Sequence, residues 1–334
     1  MQSADFEEDL YKTWFRRPTM FVACAWFLLA VAGRMILRLG LSELALLLRQ
    51  LGLWDIRAQA GAAAEILYQA GMLAFPAAWY AARHPGVEQA MRLKAPHPLA
   101  AAHAMVLAAA GVTLAVCLSA WWRLLIEKAG GALPASSSAP QTPAALAQAL
   151  LLNALLPGVC EELMFRGGIM GAWERRGADG ALVASGLMFA ALHGSVEGLP
   201  VQLVMGFALG YIVLRSGSLW TGVIFHTAFN AGALVLGYLL RGRAFVNIYA
   251  VLSSGTALGL FVADTIASAA LFVLLLLWLK RVCVRLGLGG SRLSQPDPAP
   301  LEPMDLLVLS AGILTAAICF MGDILEVCGI LQGG

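Results

Sequence analysis

Charge is what this chain has least of. Only 13% of its 334 residues are Asp, Glu, Lys or Arg, against 60% hydrophobic, whereas a soluble domain carries about 25% charged residues to keep its surface wet. The shortage excludes an ordinary soluble globule and predicts an integral membrane protein. Basic and acidic residues nearly balance, 22 to 20, so the clustered basic face that would meet nucleic acid is also missing. There is no CxxC pair; Cys24, Cys117, Cys160, Cys283, Cys319 and Cys328 are scattered, mostly in apolar runs. That scatter excludes a zinc cluster or a secreted disulfide framework and reads as small buried hydrophobes. The compact zinc-protease signature HExxH is absent as well.

What is abundant is long apolar sequence. A membrane span needs about 20 mostly apolar residues to cross about 30 Å of hydrocarbon, and nine stretches qualify: 19–38, 62–82, 99–125, 144–172, 180–195, 199–215, 218–240, 255–279 and 304–325. The short fifth and sixth can also be read as half-spans or a helical hairpin. Helix is the default for each, because a backbone in lipid must satisfy its own hydrogen bonds and the alternation of a barrel strand is missing. The expected fold is all-α, a polytopic bundle of about eight or nine spans. The N-terminal stretch resembles a signal peptide, with Ala30-Val31-Ala32 in the place of a cleavage site. Arg34 and Arg38 lead only into further spans, however, so an uncleaved first span is expected.

Loop charges give an orientation. With the N-terminus in the cytoplasm, inner segments collect about twice the Lys and Arg of outer ones, among them Arg16, Arg17, Lys94, Arg175, Arg176 and Lys280. Stretches 130–143 and 287–300 have the Gly, Pro and Ser density of flexible connections. They divide the chain into N-terminal helices (1–143), a core (144–280) and a C-terminal loop and helix (281–334). Residues 41–60 read as an amphipathic helix on the membrane surface.

Inside this apolar background the core carries four polar constellations. Glu161 and Glu162 stand together in PGVCEELMFRGGIMG, with Arg166 one turn beyond Glu162. A charge at the centre of a membrane helix costs roughly 2.5–3.5 kcal/mol or more, so such residues face an interior cavity and carry function. Adjacent residues point about 100° apart on a helix; Glu162 can therefore meet Arg166 while Glu161 is left to work, and Pro157 should loosen the helix just ahead of both. Phe189 and His193 form an i,i+4 pair in GLMFAALHG, as do His226 and Asn230 in FHTAFN. Counted at about 1.5 Å per residue, Glu161, His193 and His226 fall roughly 12–20 Å from the inner ends of their helices, so the first three constellations can meet. The fourth, Asp264, stands alone and reads as a helix-packing group. Arg34 and Glu65 read as reaching a membrane surface or a polar contact between helices, and His84, His97 and His103 as solvated or interfacial.

Such a set supports hydrolysis. A carboxylate and an imidazole converging on one water make a general base. A second imidazole with a carboxamide supplies hydrogen-bond donors for a developing oxyanion, worth roughly 3–4 kcal/mol per good donor. No Ser or Cys nucleophile is required.

EELMFR, FAALH and HTAFN resemble, in order, the motifs EExxxR, FxxxH and HxxxN of the CAAX-protease and bacteriocin-processing family, the type II CAAX endopeptidase or abortive-infection family. The resemblance covers about 144–240 and implies an α-helical bundle with an active site in an intramembrane cavity and an endopeptidase acting on a lipidated or membrane-associated substrate. By that resemblance Glu161 activates water assisted by His193, His226 and Asn230 hold the oxyanion, and Glu162 and Arg166 support them. The expected enzyme is a multi-pass protein of the cell membrane with no cofactor. Its partners are membrane lipids and a peptide or protein substrate, prenylated or otherwise membrane-bound. One alternative is a zinc enzyme with Glu161, His193 and His226 as ligands; from another class, the chain can be read as a transporter or a non-catalytic scaffold. Other intramembrane proteases do not fit: GxSG is replaced by VASG and LSSG, and GxGD by FMGD, with Phe320 where Gly is needed.

Overall fold

The computed structural model describes residues 18–50, 57–133, 139–240, 251, 254–289 and 301–329. Among these residues there are nine long helices and no strand. We number them α1 (Met20–Gln50), α2 (Arg57–Ile66, running on through Leu67–Ala74 into Phe75–Arg83), α3 (Pro98–Lys128), α4 (Pro143–Arg176), α5 (Ala178–His193), α6 (Leu199–Ser216), α7 (Leu219–Leu239), α8 (Gly255–Arg285) and α9 (Pro303–Val327). A single turn, Val87–Ala90, lies between α2 and α3.

Seven of the nine are long and apolar enough to cross a membrane, a multi-pass architecture with two fewer qualifying spans than composition predicts. The exceptions have physical reasons. At 16 residues, α5 extends only about 24 Å at 1.5 Å per residue, short of the hydrocarbon thickness. α2 is long enough but carries Gln59, Glu65 and Gln69 along its length. Residues 41–50 continue α1 instead of starting a separate surface helix. The rest of that expected helix up to 56 lies outside the described residues, as do most of the 1–18 segment, residues 134–138 and 290–300 of the two linkers, and Arg241 and Arg243.

Packing puts α4 at the centre. Around it Trp26, Phe27, Leu107, Met164, Phe165, Ile169, Leu209 and Phe225 form one buried apolar core. Many large apolar side chains instead face outward, Leu260, Ile266, Leu274, Leu307 and Leu314 among them, as expected where the surrounding medium is lipid. Small residues set the closest helix approaches. A Cβ on Gly206 of α6 would lie 2.7 Å from the carbonyl oxygen of Gly186 on α5, and one on Gly158 of α4 would lie 3.2 Å from the backbone nitrogen of Thr227 on α7. These two crossings bring α5, α6 and α7 onto the acidic part of α4.

The cysteines follow expectation in part: Cys24, Cys117, Cys160 and Cys283 are buried, whereas Cys319 is half-buried and Cys328 exposed, and none is in a disulfide.

Candidate functional site

Glu161 and Glu162 end a short α-helical turn, Leu156–Glu162, that lies between two π-helical stretches, Leu151–Leu155 and Leu163–Ile169. Pro157 is the second residue of that turn. It has no N–H for an intrahelical bond, and the wider i→i+5 ladder ahead of it is the form the loosening takes. α2 carries a third π-helical stretch, Leu67–Ala74. Stretches of this kind change which residues share a helix face and occur often at functional sites.

Glu162 and Arg166 are completely buried. Arg166 donates from Nη1 to Glu162 Oε1 at 3.0 Å and from Nη2 to the Gly206 carbonyl at 2.9 Å, so one guanidinium ties α4 to α6. His226 Nδ1 donates to the same Glu162 oxygen at 3.0 Å, adding α7. Gly222, one turn before His226, keeps the space open: a Cβ there would sit 3.1 Å from Glu162 Oε2. Phe189 fills the middle. Its ring lies 4.9 Å from His193 and 5.8 Å from His226, and the Arg166 guanidinium lies 4.3 Å above it, a cation–π arrangement.

Glu161 points elsewhere, as helix phase predicts. It faces a cavity of about 290 Å³ whose wall also includes His193, His226 and Asn230. Glu161 is nearly fully buried; its Oε1 accepts from Gln69 Nε2 at 2.9 Å, while its Oε2 has no hydrogen-bond partner among the described residues. Glu161 of the first constellation and both residues of the second and third therefore share one chamber, while Glu162 and Arg166 lie behind it. Asp264 does not join them: on α8 it accepts from Cys117 Sγ of α3 at 3.6 Å, a contact between helices.

Tautomers follow from the partners. His193 Nδ1 lies 2.9 Å from the Phe189 carbonyl, which can only accept, so a neutral His193 holds its proton on Nδ1 and offers Nε2 as an acceptor. His226 likewise gives its Nδ1 proton to a carboxylate. The imidazole N–H expected from sequence to serve the oxyanion is thus committed at Nδ1 to Glu162, and Nε2 donates only in the imidazolium form.

His193 is the last residue of α5, and the turn after it is held from outside the motifs. Trp122 Nε1 donates to the Val196 carbonyl at 2.6 Å, Val196 N donates to Asp323 at 2.6 Å, and Arg123 pairs with Glu197 at 3.0 Å. α3 and α9 thereby fix where α5 ends.

Arg34, Glu65, Gln69, Asn153 and Gln202 also line the cavity. Sequence placed Arg34 and Glu65 at a membrane surface or a helix contact and passed over the three amides. The usable signal was Glu65 with Gln69, an i,i+4 polar pair in an apolar helix. Of the remaining histidines, His103 bonds the Leu275 carbonyl of α8 at 2.8 Å, His97 caps α3 and His84 is exposed and stacks on Tyr80.

Among the described residues no three His, Cys, Asp or Glu side chains are grouped as a metal would need. Glu161, His193 and His226 share a wall of the cavity; each histidine has its Nδ1 bonded to a protein acceptor, an arrangement that also orients a metal-ligating imidazole, and Glu161 Oε1 is taken by Gln69.

Residues 143–232 match the family model described as type II CAAX prenyl endopeptidase Rce1-like. No curated protein and no solved structure matches the chain.

Proposed function

We propose a reaction on the premise that the chain carries, over residues 143–232, a domain of the Rce1-like type II CAAX prenyl endopeptidase family, which is a family of proteases. The chain is an intramembrane endopeptidase that hydrolyses a peptide bond of a lipidated or membrane-associated substrate with activated water. One observation carries the reading: Glu161, His193, His226 and Asn230 line a single cavity, and the Glu161 oxygen without a partner, Oε2, is itself buried.

In this reading Glu161 Oε2 takes a proton from a water that also donates to His193 Nε2. The water oxygen bonds to the scissile carbonyl carbon, and the charge that develops on the carbonyl oxygen is met by His226 Nε2–H and the Asn230 amide. Collapse breaks the C–N bond, and Glu161 returns its proton to the leaving amine. Burial keeps bulk water from screening these interactions, which is where such donors are worth most. Glu162 and Arg166 hold His226 and α6 in place. A prenylated peptide suits both the family and a chamber inside an apolar bundle, and in this reading the N-terminus is cytoplasmic.

Cleavage of hydrophobic or lipidated peptides by the protein in liposomes tests the reading. Glu161→Gln should lower kcat by about 10²–10⁴-fold, the usual contribution of a general base, and Asn230→Ala by about 10²–10³-fold, that of one oxyanion donor. If Glu161→Gln and His193→Ala both cleave at the wild-type rate, the catalytic assignment is wrong.

A further inference from the structure

The base proposed above is held by a helix outside the family domain. Gln69, on α2, is only 2% exposed, and its Nε2 donates to two carboxylates, Glu161 Oε1 and Glu65 Oε1, each at 2.9 Å. An amide nitrogen has two protons, and both are used. Two acceptors on one side also settle which way the amide faces, because its oxygen would be repelled there.

The surrounding structure delivers Gln69 to this point. It lies within the π-helical stretch Leu67–Ala74. The preceding residue, Tyr68, is buried and donates its hydroxyl to the Ala30 carbonyl of α1 at 3.2 Å, and Gly33 of α1 leaves room for Met72. α2 is thus fixed against α1 on both sides of Gln69, and the amide reaches α4 across 92 residues of sequence.

We propose that Gln69 is a positioning residue for Glu161, with Glu65 holding the Gln69 amide in its donating orientation. The claim rests on Glu161 being the base. The Gln69 bond occupies Oε1 and fixes the carboxylate plane, which leaves Oε2, buried and without a hydrogen-bond partner among the described residues, as the oxygen free to take the proton. Without it the carboxylate can rotate, and both oxygens compete for the water. Glu65 lines the same cavity and needs no contact with substrate for this role.

Two variants and one spectroscopic measurement test the proposal. Gln69→Leu, which removes the donor, should lower kcat on the order of 100-fold with KM little changed, the size of effect that a misplaced reacting group produces. Gln69→Glu keeps shape and volume but sets a third carboxylate between Glu65 and Glu161, in a chamber whose other charged or titratable groups are Arg34, His193 and His226. It should be less active than Gln69→Leu. A space-filling role predicts the reverse order. In a Glu161→Gln background, Gln69→Leu should cause no further loss, because residues that act as a unit are not additive. A wild-type kcat in Gln69→Leu, a milder Gln69→Glu, or full additivity would each overturn the proposal.

Infrared or carbon NMR of isotope-labelled Glu161 decides the contact independently of turnover. Its carboxylate signal should change in Gln69→Leu, and an unchanged signal overturns the proposal even if the protein hydrolyses nothing. Conversely, proteolysis that survives Glu161→Gln alongside a shifted carboxylate signal would reject the protease assignment of Glu161 and leave the Gln69 contact standing.

Discussion

The Glu162–Arg166 pair was readable because its partners are four residues apart on one helix, and so were the turn of Glu161 away from that pair and the shared face of His226 and Asn230, which both line the cavity. What sequence could not show is the use each group makes of distant chain. Arg166 spends its second nitrogen on the Gly206 carbonyl, 40 residues away, and this decides what a substitution does. Lysine keeps the charge but not the two-pronged geometry; Arg166→Lys should lose about 1.5–3 kcal/mol, the worth of a hydrogen bond made by a charged group. Arg166→Met leaves Glu162 without its guanidinium in a fully buried position and should lose about 3–5 kcal/mol. Adding Glu162→Gln to Arg166→Met removes the uncompensated charge and should recover part of that loss. Unfolding of the detergent-solubilised protein measures all three, and a double variant less stable than Arg166→Met would show that charge pairing is not what Arg166 provides.

At the scale of elements, the helices themselves were legible, because runs of apolar residues this long have few other solutions in lipid. Their interior irregularities were not. The π-helical stretches at 67–74, 151–155 and 163–169 share no common sequence pattern; Pro157 follows one, and glycines at 71, 167 and 168 fall within the other two. The wider turns depend on contacts between helices, which no local pattern encodes; Gln69 and Asn153 were therefore passed over although both face the cavity. Helix contacts also explain the glycines. Gly206 is not needed for an unusual backbone angle, but a methyl group there would meet the backbone of α5 at Gly186, where no side chain can move aside. Gly206→Ala should push α5 from α6, shift the carbonyl that Arg166 holds, and cost about 1–3 kcal/mol, the range for overpacking a tight core. A lower unfolding midpoint together with reduced cleavage is expected. An unchanged midpoint would mean that the crossing is looser than its geometry indicates.

For the whole molecule, the three motifs of the matched domain are served by helices outside it: α2 supplies Gln69, while α3 and α9 pin the turn after His193 through Trp122, Arg123 and Asp323. The cavity wall is thus completed by helices outside the matched domain, which sequence motifs confined to 144–240 could not reveal. Orientation is a whole-molecule property of another kind, set by where Lys and Arg fall along the chain. It can be tested on one helix, because α3 is 31 residues long and its ends must lie on opposite faces if it crosses. Ala95, just before α3, and Lys128, its last residue, are both exposed. In a background where the exposed Cys328 is replaced by Ser, a membrane-impermeant maleimide added to intact cells should label Lys128→Cys at once and Ala95→Cys only after permeabilisation. This takes the N-terminus as cytoplasmic and α2, although too polar to count among the seven apolar spans, as returning the chain across the membrane after α1. The opposite labelling pattern would invert the topology, move the basic loops between 83 and 94 and between 173 and 179 to the outer face, and require substrate to be offered to the cavity from the other side.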